Sequence, residues 1–164
     1  SEYYAACTAR AYKMAIDDAM DDKFDAQIYE NEGKALEGRE YLEKAIQINP
    51  NRAEAWSQLA KLYREAGQHH IAFAYAYMAK DLELNPDSLF SWNRVYDYWI
   101  PFELLENGVK IGNFEVAYQG FRALILAGQA DTYKNYYEYL PQFEQYLDNE
   151  IIEKIIEVIN GTEA

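Results

Sequence analysis

The order of apolar and polar positions is helical along almost the whole chain. In EYLEKAIQI (40–48) and AWSQLAKLY (55–63) apolar residues recur three and four apart, and alternation at period two is absent. That spacing gathers them on one face of a helix. The breaks between such runs are short: Gly33, Asn49-Pro50, Gly67, Asn85-Pro86, Asn107-Gly108, Gly112-Asn113, Ala127-Gly128, Pro141 and Asp148-Asn149. Asn-Pro reads as a helix stop, because proline disfavours helical geometry in the residue before it and brings no amide hydrogen. The pattern predicts an all-α chain of about eight helices joined by tight turns.

Two phrases nearly repeat. INPNRAEAW (48–56) and LNPDSLFSW (84–92) each run apolar residue, Asn, Pro, polar turn, Trp, and lie 36 residues apart. Between Pro50 and Pro86 the pattern predicts one helix, a turn at Gly67 and a second helix, and Pro50 closes an earlier pair that turns at Gly33. Two helices per period of roughly 34–36 residues is the signature of a helical-hairpin solenoid. The expected units are 19–50, 53–86 and 89–126, with capping helices at 2–18 and 131–160. In the last of these Ile151, Ile152, Ile155, Ile156 and Ile159 form one apolar stripe, read as closing the solenoid, with a dimer seam as the alternative.

The chain resembles the tetratricopeptide repeat family in the kind and spacing of these residues. Ala26, Tyr29, Gly33, Leu42, Ala45 and Pro50 carry the likeness in the first unit. Trp56, Leu59, Ala60, Tyr63, Gly67, Ala72, Ala79 and Pro86 carry it in the second, and Trp92, Gly112, Ala117, Phe121 and Leu124 in the third. Three departures predict an irregular superhelix. The second unit is two residues too long; the third opens on a stretched helix, 94–112, interrupted at Pro101; and Ala76 stands where a bulky residue is usual.

In that family the first helices of successive units line a concave groove that binds a partner's segment. The resemblance implies that Lys23, Gln27 and Glu30, then Glu54, Ser57, Lys61 and Arg64, then Phe90, Asn93, Arg94 and Asp97 face such a groove. A clamp for a terminal carboxylate, as in chaperone-binding members, is matched by Lys23 and Arg94 and broken by Gln27, Gln58 and Phe90. More narrowly, 52–125 is similar to the helical region attached to family-2-like glycosyltransferases. The words that carry it are RAEAWSQLAKLYREAGQHHIAFAYA, Leu89-Phe90, Val95-Tyr96-Asp97, Phe102-Glu103-Leu104 and Gly112-Asn113-Phe114-Glu115. This implies an accessory module of a larger transferase. The alternative is a free-standing cytoplasmic adaptor or chaperone-like protein that binds a peptide.

Composition narrows the partner. The chain has 164 residues, half of them apolar, which fits one folded domain. Its formal charge of −13 makes nucleic acid and anionic membrane poor partners and favours a neutral or basic protein or peptide. The longest apolar run, IAFAYAYMA (71–79), is about half a bilayer span, so membrane insertion is not expected. The start lacks both the form of a signal peptide and a Met, so Ser1 is either a processed start or a domain edge. Cys7 is the single cysteine, which suits a reducing compartment, and a cytoplasmic location is expected. Sixteen tyrosines are the compositional oddity. Tyr96, Tyr98, Trp99, Tyr133, Tyr136 and Tyr137 are expected to fill helix seams, and stacking on the sugar rings of a glycan acceptor is the second reading.

Catalytic chemistry is sparse. Asp17, Asp18, Asp21, Asp22 and Asp25 stack four apart on a helix, but lack the central Gly and final Glu of a calcium loop. They are read as a solvated face, with cation binding as the alternative. His69 and His70 are adjacent, so they point about 100° apart on a helix and suit a turn or cap better than a metal site. No nucleophile elbow, P-loop or dinucleotide fingerprint is present. No catalytic residue, metal site or cofactor is expected in this chain, and whether a parent protein is an enzyme stays open.

Overall fold

The computed structural model describes residues 34–86 and 92–162, with side chains from Gly38 to Gly161. These residues form seven α-helices and no strand, the all-α solenoid of helical hairpins that the periodicity predicts. The helices are α1 (Lys34–Ile48), α2 (Ala53–Glu65), α3 (His69–Ala79), α4 (Ile100–Ile111), α5 (Phe114–Leu126), α6 (Leu140–Phe143) and α7 (Asn149–Thr162). The expected 2–18 helix, the first helix of unit 19–50, the Gly33 turn and the Asp17–Asp25 cluster lie outside the described residues.

Each hairpin turn has a local cause. Helix α1 stops at Asn49-Pro50, where Trp56 Nε1–H donates to the Pro50 carbonyl at 2.9 Å and ties the turn to α2. Between α2 and α3 the chain turns at Gly67 with φ 76°, and Gln68 N–H reaches back to Tyr63 O at 2.8 Å. Between α4 and α5 the turn is Gly112-Asn113. The Asn113 amide N–H bonds Gly108 O at 2.9 Å, while its side-chain oxygen caps α5 by accepting from Val116 N–H at 3.2 Å. Asp148 does the same for α7, accepting from Ile151 N–H at 3.0 Å and pairing with Arg122.

Three expectations change. Pro101 does not interrupt the stretched helix of the third unit. The run continues from residue 93 to Ile111 through one π turn, Val95–Trp99, in which Ile100 N–H donates to Val95 O. Widening the helix just before the proline makes room for a ring that would otherwise meet the carbonyl four residues back. Asn107-Gly108 is not a break but lies inside α4. The Asn107 amide is held by the carbonyl and carboxylate of Glu103, both at 2.8 Å, and Gly108 packs against Ala117. Asn85-Pro86 does not stop α3, which ends at Ala79, and 80–86 runs on without regular structure. Between Ala130 and α7, two 3-10 turns, Lys134–Tyr139 and Glu144–Tyr146, flank the short α6.

The core lies in three linked patches. Leu42, Leu59 and Leu62 join α1 to α2, and Ala60, Ala76, Ala79, Val95, Ile100 and Leu104 join α2, α3 and the long helix. Small side chains there let helix axes come close, so Ala76 is buried where a bulky residue was expected. The third patch packs Leu105, Phe121, Leu124, Phe143, Ile151 and Ile155 between α4, α5, α6 and α7. Its aromatic rings meet at tilted angles, Phe121 to Phe143 at 5.3 Å and Tyr118 to Phe143 at 5.6 Å. Tyr133, Tyr136 and Tyr137 pack against it, with the Tyr136 hydroxyl donating to Glu106 and that of Tyr137 to the Ala130 carbonyl. Among the described residues they act as seam fillers.

Candidate functional site

The polar residues that the repeat pattern assigns to a groove divide sharply. Helix α2 is enclosed on nearly every side, so Glu54 and Ser57 are buried, at 0% and 2% exposure. Glu54 is therefore not a surface contact. One carboxylate oxygen accepts from Trp92 N–H at 3.1 Å and the other from Tyr96 O–H at 3.0 Å. The Tyr96 oxygen in turn accepts from Ala53 N–H at 3.1 Å, satisfying a first-turn amide of α2 that has no partner within the helix. Burial and the neighbouring carboxylate both raise the Tyr96 phenol above its ordinary range, so it stays a donor to Glu54.

Arg64 is held as firmly. Its Nε lies 3.0 Å from both oxygens of Glu103, and its guanidinium sits over the Phe102 ring. Glu103 also accepts from Asn107, whose amide oxygen faces His69 Nδ1 at 2.9 Å. That chain of contacts places the imidazole proton on Nδ1 and ties the start of α3 to the middle of α4. Burial pushes the Glu103 carboxyl above the usual carboxylate range, against the pull of Arg64 and Asn107. Four side chains from α2, α3 and α4 thus form one interior network, and His69 serves as a helix-start contact within it.

The remaining described positions of the expected groove face outward. Lys61 is partly exposed, with Glu65 4.0 Å away one turn on. Asn93, Arg94 and Asp97 are exposed on the first turns of the long helix. Lys23, Gln27, Glu30 and Phe90 lie outside the described residues.

Pattern reading misses one concavity. A cleft of about 260 Å³ opens where α3 ends, between the 79–82 segment and the faces of α4 and α5. Ala79, Leu82, Ile100, Pro101, Leu104 and Ala123 give it an apolar floor, and Lys80, Asp81, Tyr96 and Gln119 give it a polar edge. It opens where α3 stops at Ala79, and Gly120, buried in the middle of α5, lines it at the point where α5 closes on the backbone of α4. A glycine in a helix interior is the one sequence signal that marks the place.

Among the described residues no helix is long and apolar enough to cross a membrane, and no group of three His, Cys, Asp or Glu could hold a metal ion. Two tetratricopeptide repeat models match the sequence, one over residues 26–52 and one over 41–74. The second match runs from the latter half of α1 through α2 into α3, so it contains both the Asn49-Pro50 step and the Gly67 turn. No curated protein and no solved structure matches the chain.

Proposed function

We propose, for a chain whose residues 26–74 carry tetratricopeptide repeats, that the repeats serve as a scaffold for protein interaction and that the cleft beside Gly120 receives an apolar side chain of the bound segment. The cleft carries this reading: it is apolar at its floor, polar at its edge, and of a size for one side chain rather than a cofactor. Asn93, Arg94 and Asp97 lie one to two turns upstream on the helix that supplies Tyr96 and Ile100, and are its polar contacts to the partner. Lys61 contributes to the same binding face. Glu54 and Arg64 contribute indirectly by holding the long helix against α2, and Ser57 is buried beside them on that helix.

Selection of peptides from a random display library against the chain tests this. Ala123→Arg fills the cleft from the α5 side, and Leu82→Glu charges its floor. Peptides that bind through the cleft lose about tenfold or more in affinity for both variants, a difference of about 1.4 kcal/mol or more. Selected peptides indifferent to both substitutions, in variants whose thermal melts are unchanged, would overturn the assignment.

The finer reading, an accessory module of a larger glycosyltransferase that docks an acceptor or a partner, rests on the wording of residues 52–125. Mass and peptide mapping of the product from its source decide it. A nucleotide-sugar-binding domain in the same polypeptide supports it. A native product near 19.1 kDa removes it and leaves a free-standing adaptor.

A further inference from the structure

Helix α7 has two apolar faces, and among the described residues one of them packs into the core while the other is largely exposed. Ile151 and Ile155 are 0% and 5% exposed and join the core patch around Phe143, with Val158 packed beside them. Ile152, Ile156 and Ile159 are 39%, 48% and 45% exposed. At spacings of four and three they form a second stripe, turned about 90–100° from the first. Three exposed isoleucines in line mark a contact surface.

Charge states what fits there. On the side of the stripe away from the core stand Glu153 and Glu157, both exposed. Lys154, the one basic residue of the helix, lies beyond them toward the core side, and none lies in the last turn. A second copy of the chain is a poor occupant. Two α7 helices meeting antiparallel about a two-fold axis set each acidic edge against its own equivalent, and each copy carries a net charge of −13. An apolar stripe beside a carboxylate row is complementary to a helix with the reverse character: an apolar seam flanked by Lys or Arg.

We propose that the outer face of α7 docks a basic amphipathic helix of a partner protein, with Ile152, Ile156 and Ile159 in the seam and Glu153 and Glu157 pairing with the basic flank. This surface is separate from the cleft beside Gly120 and stands or falls independently of it.

The test is a titration of the isotope-labelled 164-residue chain, followed by amide chemical shifts, with three designed peptides of one length. The first has a Leu seam at helical spacing flanked by Lys and Arg. The second keeps that composition with the seam scrambled, and the third keeps the seam with Glu flanks. The first peptide is expected to move resonances of residues 150–161, the other two are not, and the effect weakens as salt is raised. Ile156→Glu is expected to reduce affinity at least about tenfold. The double variant Glu153→Lys/Glu157→Lys does the same without touching an apolar side chain, which guards against loss of fold in the first variant. The proposal is overturned by no response to the first peptide at millimolar concentration, or by an equal response to the scrambled one. Sedimentation of the chain as a dimer that Ile156→Glu dissociates also overturns it, by assigning the face to a second copy.

Discussion

The carbonyl oxygen of Pro101 occupies the space that a side chain at Gly120 would need: a Cβ built there stands 2.3 Å from it. The α4–α5 crossing is set by this approach and by a second one further along, where a Cβ on Gly108 would meet that of Ala117 at 2.7 Å. Both obstacles include backbone, which cannot swing aside as a flexible side chain does.

Gly120→Ala is therefore expected to destabilise the chain by about 2–3 kcal/mol, the upper range for overpacking, despite alanine's better helix propensity. Gly38 is the control. It lies within α1 with nothing within 4 Å of its Cβ position, so Gly38→Ala should stabilise by about 0.5–1 kcal/mol. Urea unfolding of the two variants checks both signs. A neutral Gly120→Ala would mean that the two helices can separate at little cost.

Removing Glu103 strands Arg64 beside the core. Glu103→Ala is expected to cost about 3 kcal/mol, the low end for breaking a buried pair, because the guanidinium keeps some access to water. Glu103→Gln isolates the titration. The folded-state pKa lies above its ordinary 4.5, so the group's contribution is fully present below that value and is lost as pH rises through the raised one. The stability of the native chain relative to Glu103→Gln should accordingly decline as pH rises above the ordinary 4.5 and through the raised value. A difference that grows over the same range would show Arg64 outweighing burial.

Tyr96 links two ends of the second hairpin's frame through one oxygen. Tyr96→Phe leaves the ring in place but deprives Ala53 N–H of its acceptor and Glu54 of a donor. A loss of about 1–3 kcal/mol is expected. Hydrogen exchange should quicken at the start of α2 ahead of other helices, and unchanged exchange there would contradict the bridging role.

The cap on α5 is a simpler case. Asn113→Ala removes the acceptor for Val116 N–H and should cost about 1 kcal/mol, read from the denaturant midpoint with an unchanged slope. Asn113→Asp, which keeps the acceptor and adds a charge favourable at a helix start, should recover the loss.

Much of the architecture could be read from local signals. Gly67 and Gly112 mark turns because the chain there needs positive φ, and Asn49-Pro50 stops α1 for reasons contained in two residues. The misreadings share a different cause. Asn107-Gly108 has the composition of a turn, but its amide is paired within the helix and its missing side chain serves a neighbour nine residues on. Glu54 reads as a solvated first-turn carboxylate, yet its partners arrive from Trp92 and Tyr96, on the far side of the whole second hairpin. Arg64 and Glu103 are likewise 39 residues apart. A polar side chain gives no hint of distant partners by its own position, so the periodicity located the elements and not the inward-turned charges. The cleft was hidden for the same reason: it depends on how early α3 ends.

The wide turn at Val95–Trp99 has one more effect, on tolerance to changes of length. Adding a residue to an α-helix turns everything beyond it by about 100°, which would swing Leu104, Leu105 and Val109 out of their seats. A π turn accommodates an extra residue locally and returns the helix to its original phase. The segment ahead of Pro101 can thus act as a vernier, through which the chain can gain or lose a residue while the packed half of the helix keeps its aim.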